Sequence, residues 1–188
     1  NDHVENTFRH LFIFKALGCR PPLYGHFPMI VNASGKPYSK RDGDAYIGDF
    51  RGHGVLPECL FNFLALCGWS PGDDREILTR EEMIGAFTLD RVNASPAQLN
   101  HEKLAWMNGQ YLTRKPAGEL LPLIREELKA IGIDLGEIDR NWLAALIELE
   151  RERLKSVKEF VANTHFFWVE TVELDPKAVK KNLLKNGG

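Results

Sequence analysis

The sequence predicts a mainly α-helical protein with a small α/β part near its N-terminus. Three observations carry that prediction. Apolar residues recur every three or four positions along most of the 188 residues, the spacing that lines one face of an α-helix. Helix-opening Ser, Thr, Asn and Asp residues and helix-ending glycines punctuate those runs. One segment, 27–31 (Phe-Pro-Met-Ile-Val), is short, apolar and β-branched, as a buried strand is.

In chain order, residues 7–17 carry Phe8, Leu11, Phe12 and Leu17 with further apolar residues on other faces. A well-buried helix is expected there, stopped by Gly18. Strand 27–31 follows with Pro28 at its start, and Asn32-Ala33-Ser34-Gly35-Lys36-Pro37 reads as a turn or loop. Residues 56–67 give the clearest helix: Pro57 suits the first turn, Leu60, Leu64 and Cys67 share a face, and Gly68 ends it. Thr79-Arg80-Glu81-Glu82 is a capping box opening a helix through Phe87. Ser95-Pro96 reads as another helix start, and Asn100 as the cap of a helix to about Tyr111. The pattern changes at Arg114-Lys115-Pro116, which sets a domain boundary near 113–116. Amphipathic helices then follow at 117–130, 139–150, 156–162 and 176–185.

The composition narrows function before any motif does. Hydrophobic residues make up 44% and charged residues 27%, with 24 Lys+Arg against 26 Asp+Glu and a net charge of −2. That excludes disorder for want of apolar material and gives no global field for nucleic acid, while leaving room for a local basic patch. No apolar run approaches the ~20 residues of a membrane span, and no signal peptide is visible. Cys19, Cys59 and Cys67 make an odd count without a CxxC pair, pointing to a reducing, cytoplasmic compartment with Cys59 and Cys67 as core residues. His10, His26, His53, His101 and His165 show no metal-ligand spacing, so no zinc is inferred. Trp69, Trp106, Trp142 and Trp168 read as core or helix anchors. The chain opens on Asn1 and stops at Asn186-Gly187-Gly188, which leaves open that it is a piece of something longer.

Chemistry concentrates in Lys36-Pro37-Tyr38-Ser39-Lys40-Arg41-Asp42-Gly43. Two adjacent cations beside a hydroxyl, after a Gly-containing turn, suit a polyphosphate: Lys as a point charge, Arg as a fork, with backbone N–H groups in support. A solvated basic turn would look the same in isolation. A second charged segment, Leu149-Glu150-Arg151-Glu152-Arg153-Leu154, reads by itself as a solvated helix end.

Context distinguishes the first. The loop follows Gly25-His26-Phe27-Pro28-Met29 and precedes 54–70, GVLPECLFNFLALCGWS. Asp2-His3 with Asn6-Thr7 looks like a DHxxNT stretch. Ser95-Pro96-Ala97, Glu102-Lys103-Leu104 and the run from Trp106 to Tyr111 look like an SPA…KLxWMNGxY stretch. In that order the chain resembles class I aminoacyl-tRNA synthetases, with 36–43 as the KMSKS loop, and in particular the bacterial-type glutamyl-tRNA synthetases. The resemblance covers 1–111 closely and 112–188 more loosely.

The resemblance implies residues 1–35 as the C-terminal end of a Rossmann-like catalytic domain. It further implies residues 36–113 as KMSKS loop and helical stem-contact region, and 114–188 as the start of an α-helical anticodon-binding domain. Glutaminyl relatives continue into β-barrels, whereas this sequence stays helical, which favours the bacterial or organellar glutamyl type. The implied partners are ATP with Mg2+, L-glutamate and tRNA(Glu), in a cytoplasmic monomer. Lys40 would be the catalytic lysine on the ATP phosphates, with Ser39 and Arg41 in support. Met29 or Ile30 would read adenine through the backbone, and His3 would line the ATP and adenylate site. Arg153 would contact the third anticodon base with Arg151 nearby, since a guanidinium can read a base edge and touch phosphate. Lys177, Lys180, Lys181 and Lys185 make a helical stripe that is either a tRNA-backbone contact or a solvated face. Two departures stand out: Pro37 occupies the usual first Lys of the signature, with Lys36 one residue early, and Tyr38 the usual Leu or Met. Alternatives are a non-catalytic helical tRNA-binding module and a related paralogue acting on tRNA(Gln). The chain is expected to fold and to be inactive in aminoacylation alone.

Overall fold

A computed structural model describes residues 3–182 apart from positions 33, 42, 44, 45, 137 and 173. Asp2, Asp42, Lys185 and the terminal Asn186-Gly187-Gly188 lie outside the described residues.

The framework is built on α3 (Pro57–Leu66) and α5 (His101–Arg114), which pack against each other. Pro57 opens α3 where its missing N–H costs nothing. Asn100 caps α5, its Oδ1 accepting from Lys103 N at 3.0 Å. Cys59, Leu60 and Phe63 of α3 meet Leu104, Met107 and Leu112 of α5 in one core. That core runs without interruption into α6 (Ala117–Ala130), α7 (Arg140–Glu150) and α8 (Val157–Asn163). Leu120, Ile124, Leu143, Ile147 and Phe160 are among its most enclosed members. The capping box opens α4 (Arg80–Ala86), with Thr79 Oγ1 accepting from Glu82 N and Glu82 Oε2 accepting from Thr79 N. Met83 then packs with Trp69 and Leu78 in a smaller second cluster.

Two fully buried asparagines cross-link this framework. Asn62 Oδ1 accepts from Leu78 N (3.0 Å) and from the Tyr111 hydroxyl (2.8 Å). Asn108 Oδ1 accepts from Leu56 N (2.8 Å), while its Nδ2 donates to Gly54 O (3.1 Å) and Lys155 O (2.7 Å). Beside it, a Cβ on Gly109 would lie 2.9 Å from Leu154 O, so only glycine lets α5 approach the chain leading into α8 so closely.

The α/β part is small. β1 (Ile30–Val31) pairs in parallel with β2 (Ala97–Gln98), in the register Ile30↔Ala97. The expected strand 27–31 is thus shorter, and Pro28 precedes it. The helix start expected at Ser95-Pro96 is replaced by β2; extended pairing with β1 outweighs the local signal, and Pro96 favours extended backbone before it. α2 (Ile47–Gly52), absent from the sequence prediction, is opened by Asp49 Oδ2 accepting from Tyr46 N at 3.1 Å. α1 (Val4–Ala16) forms and ends at Gly18, whose φ is +66°, but none of its residues is buried. Phe12 is 71% exposed and Phe8 61%, so the expectation of a well-buried helix fails. Periodicity reports how much apolar surface a helix carries, not whether the described residues cover it. α9 (Pro176–Asn182) closes the described chain.

Candidate functional site

The cationic loop hangs from β1 by a hydrogen-bonded knot. Asn32 Oδ1 accepts from Ser34 N (3.0 Å), Ser34 Oγ (2.8 Å) and Lys36 N (3.0 Å). Asn32 N donates to Lys36 O at 2.8 Å, and Gly35 turns the chain with φ +74°. The returning chain bridges Val31 with Pro37 in antiparallel sense, and Tyr38 N donates to Ile30 O at 2.9 Å. Ser39, Lys40 and Arg41 therefore emerge directly beside β1. Ser39 Oγ accepts from Arg41 N at 3.4 Å, and Lys40 and Arg41 are exposed.

β1 is gripped on both edges. Ala97 N donates to Met29 O at 3.0 Å, Leu99 N to Val31 O at 3.2 Å, and the returning loop takes Ile30 O. Sequence reasoning found Met29, Ile30, Ser39, Lys40 and Arg41, and the fold brings all five to one neighbourhood. Tyr38, read from the sequence only as a departure from the signature, has its hydroxyl 3.1 Å from His101 Nε2 at the start of α5.

His3 stands apart from this group. Its backbone oxygen accepts from Thr7 N (3.0 Å) and Thr7 Oγ1 (3.1 Å), and its Nδ1 lies 3.3 Å from Asn6 Nδ2. Thr7 Oγ1 in turn meets His26 Nε2 at 3.2 Å. His3, Thr7, His10, Tyr24, His26 and Pro28 line a cavity of about 450 Å³. Its wall ends one residue before Met29, and Lys40 and Arg41 do not line it.

The two arginines of the second segment separate in role. Both sit on a 3-10 turn, Arg151–Arg153, that follows α7. Arg151 Nη1 donates to Lys115 O (3.2 Å) and its Nη2 pairs with Glu148 Oε2 (2.8 Å), so its guanidinium is used in the fold. Arg153 is 75% exposed at the side chain, with Glu150 Oε1 3.8 Å away. Lys115 beneath them pairs with Glu58 (2.6 Å) and Glu119 (3.1 Å). Burial acts to lower its pKa, but the hydrogen bonds and charges of the two glutamates outweigh it and hold the ammonium above its ordinary value. Lys177, Lys180 and Lys181 of α9 are exposed.

Neither core cysteine is a nucleophile in the making. Burial, with the charge of Glu58, pushes the Cys59 thiol up to about 12, and burial also raises Cys67. Among the described residues no group of three or more His, Cys, Asp or Glu could hold a metal ion. No helix among them is long and apolar enough to cross a membrane.

Comparison with known proteins adds to this geometry. Residues 1–106 match the family model described as tRNA synthetases class I (E and Q), catalytic domain, and residues 116–187 match an anticodon binding domain. A glutamate–tRNA ligase of Methylacidiphilum infernorum is 38% identical over 186 residues, covering 99% of this chain and 42% of the relative. One from Coxiella burnetii is 40% identical over 186 residues, covering 98% of this chain and 39% of its own. The chain thus spans about two-fifths of these relatives. Among solved structures, a glutamate tRNA ligase from Elizabethkingia meningosepticum in complex with its amino acid superposes with a TM-score of 0.82 at 30% identity. That match covers 96% of this chain and 39% of the neighbour.

Proposed function

The chain belongs to the class I tRNA synthetases of the glutamyl and glutaminyl group, and we propose that it is the KMSKS-loop and anticodon-side part of a glutamate–tRNA ligase. The observation that carries this reading is the Asn32 knot and Val31–Pro37 bridge, which present Ser39, Lys40 and Arg41 beside Met29 and Ile30. A triphosphate laid along that edge would meet cations and a hydroxyl at one end. At the other, its adenine would meet the backbone of Met29 and Ile30, whose carbonyls accept from Ala97 N and Tyr38 N and each keep a second lone pair.

In the proposed reaction the carboxylate of L-glutamate attacks the α-phosphorus of ATP, giving glutamyl-adenylate and pyrophosphate. A hydroxyl of the terminal ribose of tRNA(Glu) then attacks the acyl carbon, the acyl–phosphate bond breaks, and AMP leaves. Negative charge grows on the departing pyrophosphate, so a Lys40 ammonium that engages it at that moment lowers the barrier rather than merely tightening ATP binding. Arg41 and Ser39 steady the same oxygens. Mg2+ enters as the companion of ATP. His3 would border the adenylate end, through the cavity it shares with Pro28.

We assign 1–35 to the end of the catalytic domain, 36–113 to the KMSKS loop and stem-contact region, and 114–188 to the start of the anticodon-binding domain. Arg153 is the better anticodon reader of the two arginines, because Arg151 is already bonded to Lys115 O and Glu148. The complete ligase would work in the cytoplasm as a monomer. A second reading, in which this chain by itself is a tRNA-binding helical module without catalysis, is favoured by where the core lies: in α3 and α5 to α8, with α1 uncovered.

The test is Lys40→Ala in the complete ligase, assayed by ATP–pyrophosphate exchange with glutamate and tRNA present. A fall of about 100-fold or more is expected, the scale of losing one preorganised transition-state contact. Wild-type exchange would refute the assignment, and charging of a tRNA panel separates tRNA(Glu) from tRNA(Gln) as the acceptor.

A further inference from the structure

We propose that Tyr38 is a positioning residue of the nucleotide loop: its hydroxyl, bonded to His101, ties the loop to the first turn of α5 and so fixes where Lys40 stands. The proposal rests on the ATP-loop reading above and concerns a residue at which this sequence departs from the usual signature.

Tyr38 is held from two directions. Its backbone N–H donates to Ile30 O at 2.9 Å, fastening it to β1. Its hydroxyl lies 3.1 Å from His101 Nε2, the two rings 6.4 Å apart and tilted by 50°. His101 is a firm post. It begins α5 directly after the Asn100 cap, and the adjoining Leu99 N donates to Val31 O. α5 itself is locked into the core through Leu104 and Met107.

The far end of the loop returns to the same oxygen. A Cβ built on Gly43 would stand 3.2 Å from the Tyr38 hydroxyl, and Gly43 has φ +125°, which side-chain-bearing residues rarely adopt. The chain therefore leaves Tyr38, carries Ser39, Lys40 and Arg41 around, and comes back to the phenol at Gly43. One hydroxyl sits at the neck of the loop that bears the cations. Pro37 stands where the signature has its first lysine, so more of the loop's cationic role rests on Lys40 and on the neck that places it.

Two measurements test this. In the present chain, initial rates of tryptic cleavage after Lys40 and Arg41 report loop opening; Tyr38→Phe and His101→Ala should each raise them roughly three- to tenfold, the scale of one exposed hydrogen bond. In the complete ligase, the same variants should change kcat or KM for ATP in pyrophosphate exchange by a similar factor, with KM for tRNA unmoved. The double variant should be no worse than either single one, and His101→Gln, which keeps a polar atom near the Nε2 position, should recover most of the loss. Exchange within twofold of wild type in Tyr38→Phe, or effects that multiply in the double variant, would overturn the proposal. Lys40→Ala separates the failures: if it abolishes exchange while Tyr38→Phe is silent, only the tether is wrong. If Lys40→Ala is silent too, the ATP-loop reading falls with it.

Discussion

Replacing Asn108 by Ala removes three hydrogen bonds at once, to Leu56 N, Gly54 O and Lys155 O. Asn108 is 0% exposed and Leu56 3%, so the orphaned Leu56 N–H cannot turn to bulk water, while the carbonyls of Gly54 and Lys155 are only part-buried. Each unsatisfied buried group costs about 1–3 kcal/mol. A water entering the vacated space could restore part of that, because it would find polar partners there. The net loss expected is about 2–4 kcal/mol, a large share of the roughly 5–15 kcal/mol that holds a domain folded. Urea unfolding followed by tryptophan fluorescence measures it as a drop in midpoint. Asn108→Asp sharpens the test. The carboxylate keeps the acceptor for Leu56 N but turns a second oxygen toward two carbonyls, so at neutral pH it should be no better than alanine. Those carbonyls favour the protonated acid, raising its folded pKa above the unfolded one. The aspartate variant should therefore regain stability as pH falls and lose it as pH rises through the folded value. A loss below about 1 kcal/mol for Asn108→Ala, or full tolerance of aspartate at pH 7, would refute the reasoning.

The two arginines should part company experimentally. Arg151→Ala should cost about 1 kcal/mol of stability through its bonds to Lys115 O and Glu148. Arg153→Ala should change stability by less than about 0.5 kcal/mol yet weaken tRNA binding in a filter or anisotropy assay; equal effects of both on folding would count against the split. Alkaline stability should fall between pH 9 and 12. Burial, aided by Glu58, lifts the Cys59 thiol from an ordinary 9.0 to about 12, and burial, aided by the charges of Cys59 and Glu58, lifts the Tyr111 phenol from 10.0 to about 12. Groups whose pKa is raised by folding stabilise below their unfolded values and cease to as pH climbs through the folded ones. Cys59→Ala and Tyr111→Phe should each flatten the decline measured by pH-scanned thermal melts; an unchanged slope in both would contradict it.

Caps were legible because they are local. Thr79 with Glu82 and Asn100 each bond within four residues of themselves, and the helices they open follow. The face shared by Leu60 and Leu64 was legible for the same reason. β2 was not, since two residues become a strand only by pairing with β1 across more than sixty positions. α2 escaped because its opening bond, Asp49 to the Tyr46 N–H, is a weak signal amid glycines. At the candidate site, residue types announced Ser39, Lys40 and Arg41, whereas the Tyr38–His101 contact joins positions 63 apart and has no local mark. Asn108 did leave a trace: it lies one turn from both Leu104 and Leu112, a polar side chain on the apolar face of α5. A buried asparagine there implies backbone to satisfy, though not which.

The uninterrupted core has a consequence for modular exchange between relatives. Leu112 and Ala117 stand on either side of residues 113–116 yet share one apolar cluster with Leu120 and Phe160, and Asn108 and Lys115 reach across the same span. Chimeras joined there would have to match two half-cores at once. Amide exchange in α5 and α6 should slow and quicken together, as a single cooperative unit. A recombination point that spares this protein belongs in the exposed residues 170–172, beyond Trp168, the last described residue to pack against that cluster.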